Sequence, residues 1–227
     1  MSDKTEIPFV DLKAQYATIK DEVLPAIEQV LEGMQLTMGP NTRAFDEEFA
    51  AFCGAKHAIG VGSGTDAIQL AVRALGIARG DEVITVSHTF FATVEAILYS
   101  GAWPVMVDID ERTFNIDLAA VAAAITPRTK AIMPVHLYGR TVDLGPILSL
   151  ARDRNIAVIE DACQAHGATL DIGGTAGSAG RASAFSFYCS KNLGAYGEAG
   201  SITTNDDTPA AELRPRREHG QSARHHH

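Results

Sequence analysis

From His57 to Asn205 the chain alternates two kinds of segment. Short runs are apolar almost throughout: "HAIGV", "DEVITVS", "PVMVDID", "TKAIMPVHL", "IAVIEDA", "ASAFSFY" and "AGSITTN". Between them lie stretches whose apolar residues recur every three or four positions: "DAIQLAVRAL", "TFFATVEAILYS", "DLAAVAAAI" and "DLGPILSLARDR". The first kind predicts buried strands and the second helices. Gly76 and Gly101 stop two of the helices, and Asp143 caps another. Two helices precede the alternation. "DEVLPAIEQVLEGMQ" sets Val23, Ile27, Val30 and Leu31 on one face and ends near Gly33. "MGPNTRAFDEEFAAFCG" is expected to start at a cap on Asn41 or Thr42 and to stop at Gly54. Strands that are apolar on both faces and separated by helices predict a mainly parallel sheet between two helical layers, a three-layer α/β/α sandwich. "DIGGTAGSAG" reads as a flexible turn or hairpin. No internal repeat or low-complexity linker interrupts the pattern.

With 227 residues and 46% hydrophobic content, the chain can bury one large domain, or one domain and part of another. The predicted division is an arm and helix over 1–35, a large domain over 36–208, and the start of a further connection over 209–227. The net charge of −9 argues against a nucleic-acid partner or an anionic membrane surface. A small anion is still admissible, because backbone amides and helix N-termini hold phosphate without net positive charge. Cys53, Cys163 and Cys189 are odd in number and widely spaced, which predicts free thiols in a reducing compartment. Asp3, Lys4 and Glu6 interrupt any signal core, and no run approaches the roughly 20 apolar residues of a membrane span. The expected localisation is cytoplasmic. His225, His226 and His227 are given no metal role.

In a doubly wound sheet, ligands collect at the carboxyl ends of the strands. At the first end, "GVGSGTDA" can offer an anion both backbone amides and a helix N-terminus. Gly62, Gly64 and Ala67 also fit a G-x-G-x-x-A dinucleotide pattern. The acidic residue that should follow about 20 positions later is missing, since "EVITVS" leads into His88. At the second end, one of Phe90 and Phe91 is available to stack on a flat ring, and the other belongs to the core. At the third, Asp161 closes a buried strand, where a carboxylate needs a partner or a capping role. Gln164 and His166 follow it, and Glu160 points to the opposite face. At the fourth, Ser186 and Lys191 follow "AFSFY", and Gly194, Gly197 and Gly200 allow a tight path back into "SITTN".

One ligand needs all four ends. Pyridoxal phosphate requires an amine to join its aldehyde, a carboxylate to keep its ring nitrogen protonated, an aromatic face and an amide-rich phosphate cup. Lys191, Asp161, Phe90 and the Gly64–Thr65 turn meet these needs.

These stretches resemble the DegT/DnrJ/EryC1/StrS sugar aminotransferases, which share the aspartate aminotransferase fold of pyridoxal-phosphate enzymes. "VIEDACQAHGA" and "FSFYCSKNLGAYGEAG" carry the most specific similarity, and "IPFVDLKAQY", "GDEVITVSHTFFATVEAI" and "PVHLYGR" extend it over nearly the whole chain. The resemblance implies that Lys191 binds the cofactor covalently and shuttles a proton. It implies that Asp161 holds the pyridinium nitrogen and that Gln164 lies near the phenolic oxygen. Gly64, Thr65 and Ser186 would bind the phosphate, and Phe90 would stack on the ring. His136, His166 and Tyr196 are weaker candidates. The implied reaction moves an amino group from glutamate to a nucleotide-linked keto-deoxysugar, in a homodimer. Relatives with histidine in place of the lysine dehydrate sugars, which Lys191 argues against.

Three features depart from the family pattern. The chain stops where members continue into a small C-terminal domain. "YCSKN" replaces Y-P-G-K-N, and Arg181 stands where an acidic residue is common. Two other readings stay open: a non-catalytic cofactor-binding remnant, and a nucleotide-dependent oxidoreductase using Gly62, Gly64 and Ala67.

Overall fold

The computed structural model describes residues 7–221. Asp3, Lys4, Glu6 and His225–His227 lie outside the described residues. The chain divides into two compact units, one ending at Ala44 and the other beginning at Phe45.

In the first unit, α1 (Leu12–Gly33) starts where Asp11 accepts a hydrogen bond from Ala14 N–H. It ends with Met34 in the left-handed region, so the predicted stop near Gly33 falls one residue from the observed cap. Its start lies nine residues before the "DEVLP" segment. The second helix, α2 (Pro40–Cys53), corrects the expected cap. Asn41 and Thr42 lie inside its first turn, because Pro40 takes the first helical position, where its missing N–H costs nothing.

The second unit is built on a seven-stranded sheet in the order β1-β7-β6-β5-β4-β2-β3. The strands are β1 (His57–Val61), β2 (Glu82–Val86), β3 (Trp103–Val107), β4 (Thr129–Met133), β5 (Ala157–Asp161), β6 (Ala182–Ser186) and β7 (Gly200–Thr204). β2, β3, β4, β5 and β6 pair in parallel, and β7 is antiparallel to both β1 and β6. Only β7 therefore runs against the others. The loop between β6 and β7 must lie at the edge where the parallel strands end.

Strand periodicity divides the core into two faces. Ile59, Ile159, Ala184 and Ile202 pack with Ala67, Ile68 and Val72 of α3 (Gly64–Ala74), Ile97 of α4 (Ala92–Tyr99) and Leu213 of α7 (Asp207–Arg216). On the other side Ile84, Ile132 and Val158 pack with Val121 of α5 (Leu118–Ala124) and Ile147 of α6 (Leu144–Arg152). A third cluster sets Phe49 of α2 edge-on to Phe185 and Phe187, at 4.9 and 5.1 Å. Burying each large aliphatic side chain contributes about 1.5–3 kcal/mol. Asp143 caps α6 through Gly145 N–H, as expected.

Glu160 and Asp161 end β5 on opposite faces. Glu160 is fully buried and collects five donors. Its Oε1 accepts from Ala179 N–H, Gly180 N–H and the Ser183 hydroxyl, at 2.6–3.0 Å. Its Oε2 accepts from Gly177 N–H and the His136 ring, both at 3.0 Å. Val142 N–H donates to His136 Nδ1, so the imidazole proton sits on Nε2 and points at Glu160. Burial alone would raise the Glu160 pKa. The hydrogen bonds from His136, Gly177 and Gly180 outweigh it and hold the carboxyl below its usual range. The "DIGGTAGSAG" turn is thus fastened from beneath by a carboxylate. His136, a weak site candidate by sequence, has both ring nitrogens committed to this network.

A group with a depressed folded pKa binds its proton more readily in the unfolded chain. Its stabilisation is present above the unfolded pKa, near 4.5, and is lost as pH falls through the lower folded value. Glu160→Gln replaces one acceptor oxygen by an NH₂ facing existing donors, and is expected to cost about 3 kcal/mol. Urea unfolding from pH 7 to pH 3 checks both effects: the midpoint should drop at pH 7, and the loss of stability on acidification should become shallower.

Candidate active site

At the carboxyl edge of the sheet lies a cavity of about 480 Å³. All seven residues singled out by sequence line it: Gly64, Thr65, Phe90, Asp161, Gln164, Ser186 and Lys191. They come from four chain segments, each at or just after a strand end.

The wall nearest β6 is formed by the start of α3. Ser63 caps the helix, its hydroxyl accepting from Asp66 N–H at 3.1 Å and its carbonyl from Ala67 N–H at 3.0 Å. The amides of Gly64 and Thr65 have no carbonyl within the helix to bond, and they carry the positive end of its dipole. Ser186 adds a hydroxyl. Its oxygen accepts from Tyr188 N–H at 3.3 Å, which leaves its proton for another acceptor. Close approach requires glycine here. A Cβ on Gly64 would stand 2.6 Å from Ser186 Cβ and 3.1 Å from Cys163 Sγ. A Cβ on Gly200 would stand 2.2 Å from the Ser63 carbonyl oxygen. β7 therefore enters the sheet directly against the helix cap.

Asp161 is buried and has one donor on each carboxylate oxygen. Cys163 N–H reaches Oδ1 at 3.2 Å, and the Thr93 hydroxyl reaches Oδ2 at 2.7 Å. A carboxylate has about four acceptor sites, so capacity is left over. No helix follows Asp161, so the capping role is not the one it fills. Gln164 Oε1 accepts from Tyr138 N–H at 2.9 Å. That bond fixes the amide's orientation and leaves its NH₂ as a donor.

Lys191 stands on the loop joining β6 to β7. Phe187 pins the loop at its base, donating to the Ala199 carbonyl and accepting from Ala195 N–H, at 2.7 and 2.8 Å. A turn from Tyr188 to Lys191 then sets the lysine, with Lys191 N–H on the Tyr188 carbonyl at 2.8 Å. Its charge is felt by two neighbours. Burial pushes the Cys163 thiol well above its usual pKa, the Asp161 carboxylate adds to this, and the Lys191 ammonium opposes it. Burial lowers the His166 pKa, contact with the Ser186 backbone opposes this, and the Lys191 charge lowers it further. Cys163 therefore stays a thiol and His166 stays neutral near pH 7.

The expectation for the two phenylalanines needs correction. Phe90 lines the cavity but is 68% exposed, and Phe91 is 67% exposed, so neither belongs to the core. Both precede α4, where the chain has left the sheet. Tyr196 is also exposed. His166 lies 5.5 Å from each of Phe185 and Phe187, in the aromatic cluster beside the cavity. Thr89 and Thr93 line the cavity and were missed by sequence. The signal for them was two hydroxyls one helical turn apart beside a strand end.

The profile of the DegT/DnrJ/EryC1/StrS aminotransferase family matches residues 17–227. The chain belongs to this family. It is 47% identical over 227 residues to the UDP-N-acetyl-3-dehydro-alpha-D-glucosamine 3-aminotransferase of Acidithiobacillus ferrooxidans, covering 100% of this chain and 61% of that protein. Among solved structures, Streptomyces venezuelae DesV superposes with a TM-score of 0.95 at 44% identity, over 98% of this chain and 60% of DesV. Bacillus subtilis NtdA with bound PMP gives 0.88 at 36% identity, over 94% of this chain and 48% of NtdA. The chain spans about three fifths of the length of the curated relatives it matches. Among the described residues, no helix is long and apolar enough to cross a membrane.

Gly64→Ala should push α3 away from Ser186 and Cys163. The expected cost is about 1–3 kcal/mol, the range for overpacking a well-filled contact. A lowered denaturant midpoint would record it. An unchanged midpoint would mean that the helix start is free to shift.

Proposed function

We propose that the chain forms the pyridoxal-phosphate-binding large domain of a nucleotide-sugar aminotransferase, with residues 36–208 as that domain. The observation that carries this reading is the convergence, in one cavity, of an amine, a buried carboxylate and an amide-rich helix start. The cup fits a phosphate monoester, because it offers the Gly64 and Thr65 amides and the Ser186 hydroxyl with no room for a Cβ at its base. The far side fits a protonated ring nitrogen, because Asp161 retains acceptor capacity after its two bonds are made.

When bound, pyridoxal phosphate supplies an aldehyde carbon for the amine and a conjugated ring that spreads the electron pair left by loss of a Cα proton. Lys191 would hold the cofactor through its Nζ, and the same atom would serve as the acid and base that moves a proton. Asp161, as a carboxylate, would keep a ring nitrogen protonated. Gln164, in the orientation set by Tyr138 N–H, would offer its amide N–H to the bound group. Thr65 and Ser186 would hold the phosphate, and Phe90 would offer its aromatic face to the ring.

The amino donor in this reading is glutamate, and the acceptor is a nucleotide-linked keto-deoxysugar. The named relatives act on UDP- and dTDP-linked sugars, which supports the acceptor class. We further propose a cytoplasmic homodimer. Exposed Phe90, Phe91 and Tyr138 offer apolar surface for a partner chain to cover.

Adding pyridoxal phosphate to the purified chain should produce an absorbance band near the visible edge. Borohydride should then fix the cofactor to the peptide containing Lys191, and Lys191→Ala should abolish both signals. The reading fails if no band forms or if another residue is labelled. Incubation with glutamate and a keto-sugar nucleotide separates an active enzyme from a cofactor-binding domain without turnover: labelling with no amino-sugar product would establish the second.

A further inference from the structure

We propose that Thr93 is a positioning residue that sets the orientation of the Asp161 carboxylate, and that Thr89 in turn fixes Thr93. This deepens the cofactor reading above and rests on it only for the identity of the ligand. It goes beyond that reading because α4 contributes no cofactor contact there.

The backbone of Asp161 is already anchored. Its N–H donates to the Pro134 carbonyl at 2.9 Å, and its carbonyl accepts from His136 N–H at 3.0 Å. What remains free is rotation about the side-chain bonds. Thr93, 1% exposed in the first turn of α4, meets Oδ2 at 2.7 Å. An ionised carboxylate only accepts, so the Thr93 hydroxyl proton must lie on that bond. Thr93 Oγ1 is then left as an acceptor toward Thr89 Oγ1, 2.6 Å away. The chain has one direction, Thr89 to Thr93 to Asp161, and each bond strengthens the next. Thr93 is β-branched, and its methyl group restricts χ1, so the donor is held in place before any ligand arrives. Cys163 N–H, on the strand side, holds the other oxygen. Between them the two donors aim the unused acceptor sites of Asp161 along the cavity.

A side chain held in one orientation binds its ligand more tightly than one that must first be ordered. Thr93→Val keeps the shape and removes the donor. Titration of pyridoxal phosphate, followed by the visible band, should show about tenfold weaker binding for it, the effect of one hydrogen bond to a charged group. Thr93→Ser restores the hydroxyl without the methyl and should recover most of that loss. Thr89→Val should give a smaller loss in the same direction. Crystal structures of the cofactor-free wild type, Thr93→Val and Thr93→Ser supply a readout that needs no cofactor. Asp161 should keep one orientation in the wild type and in Thr93→Ser, and rotate or split in Thr93→Val.

The proposal is overturned if Asp161 is unmoved in Thr93→Val, or if Thr93→Ser binds no better than Thr93→Val. Should the wild type form no band while Asp161 still rotates in Thr93→Val, the cofactor reading fails and the positioning role stands. A normal wild-type band with an unmoved Asp161 removes the positioning role and leaves the cofactor reading intact.

Discussion

Two adjacent carboxylates at the end of a buried strand constrain the whole site. Strand geometry sends Glu160 and Asp161 to opposite faces. Each is a charge removed from water, and each must be compensated or neutralised. Glu160 is satisfied by the protein: five donors from His136, Ser183 and the 177–180 turn surround it. Asp161 receives two, and the rest of its capacity opens onto the cavity. The same chemical group is structural on one face and available to a ligand on the other. What differs is the number of donors supplied.

The antiparallel β7 completes this arrangement. Had the sheet been parallel throughout, the chain after β6 would have crossed over through a helix to the far edge. Instead it turns back, and the return loop holds Lys191 at the edge where β5 presents Asp161. The tight entry of β7 at Gly200 also brings the Ser63 cap against the sheet. One topological choice thus sets the amine, the carboxylate and the helix start around a single space.

Much of this is legible in the sequence, and the reason is local. Apolar runs bounded by glycine and polar caps identify the strands and helices without tertiary information, and the strand ends name the candidate residues. What is illegible depends on distant partners. Three of the five donors around Glu160 come from a glycine-rich segment that reads only as a turn, because a backbone N–H has no sequence signature. Thr93 is 68 residues from Asp161, and its spacing within α4 does not reveal which strand it faces. Neither Phe90 nor Phe91 proves to be a core residue, because "TFFATV" gives no sign of where the chain leaves the sheet. The α2 cap fails more simply: Asn41 and Thr42 are good capping types, but Pro40 before them already suits the first helical position.

The state of the thiol that lines the cavity follows from the same electrostatics. Cys163 feels the charges of both Asp161 and Lys191 and would be a soft, reactive group as a thiolate. Burial and the neighbouring carboxylate both oppose its ionisation, and the lysine charge is too little to reverse them. The Asp161 carboxylate that would hold a ring nitrogen's proton therefore also helps burial keep the thiol protonated. Cys163 is thus an inert neighbour of Lys191, through the same balance of burial and charge that governs the strand end.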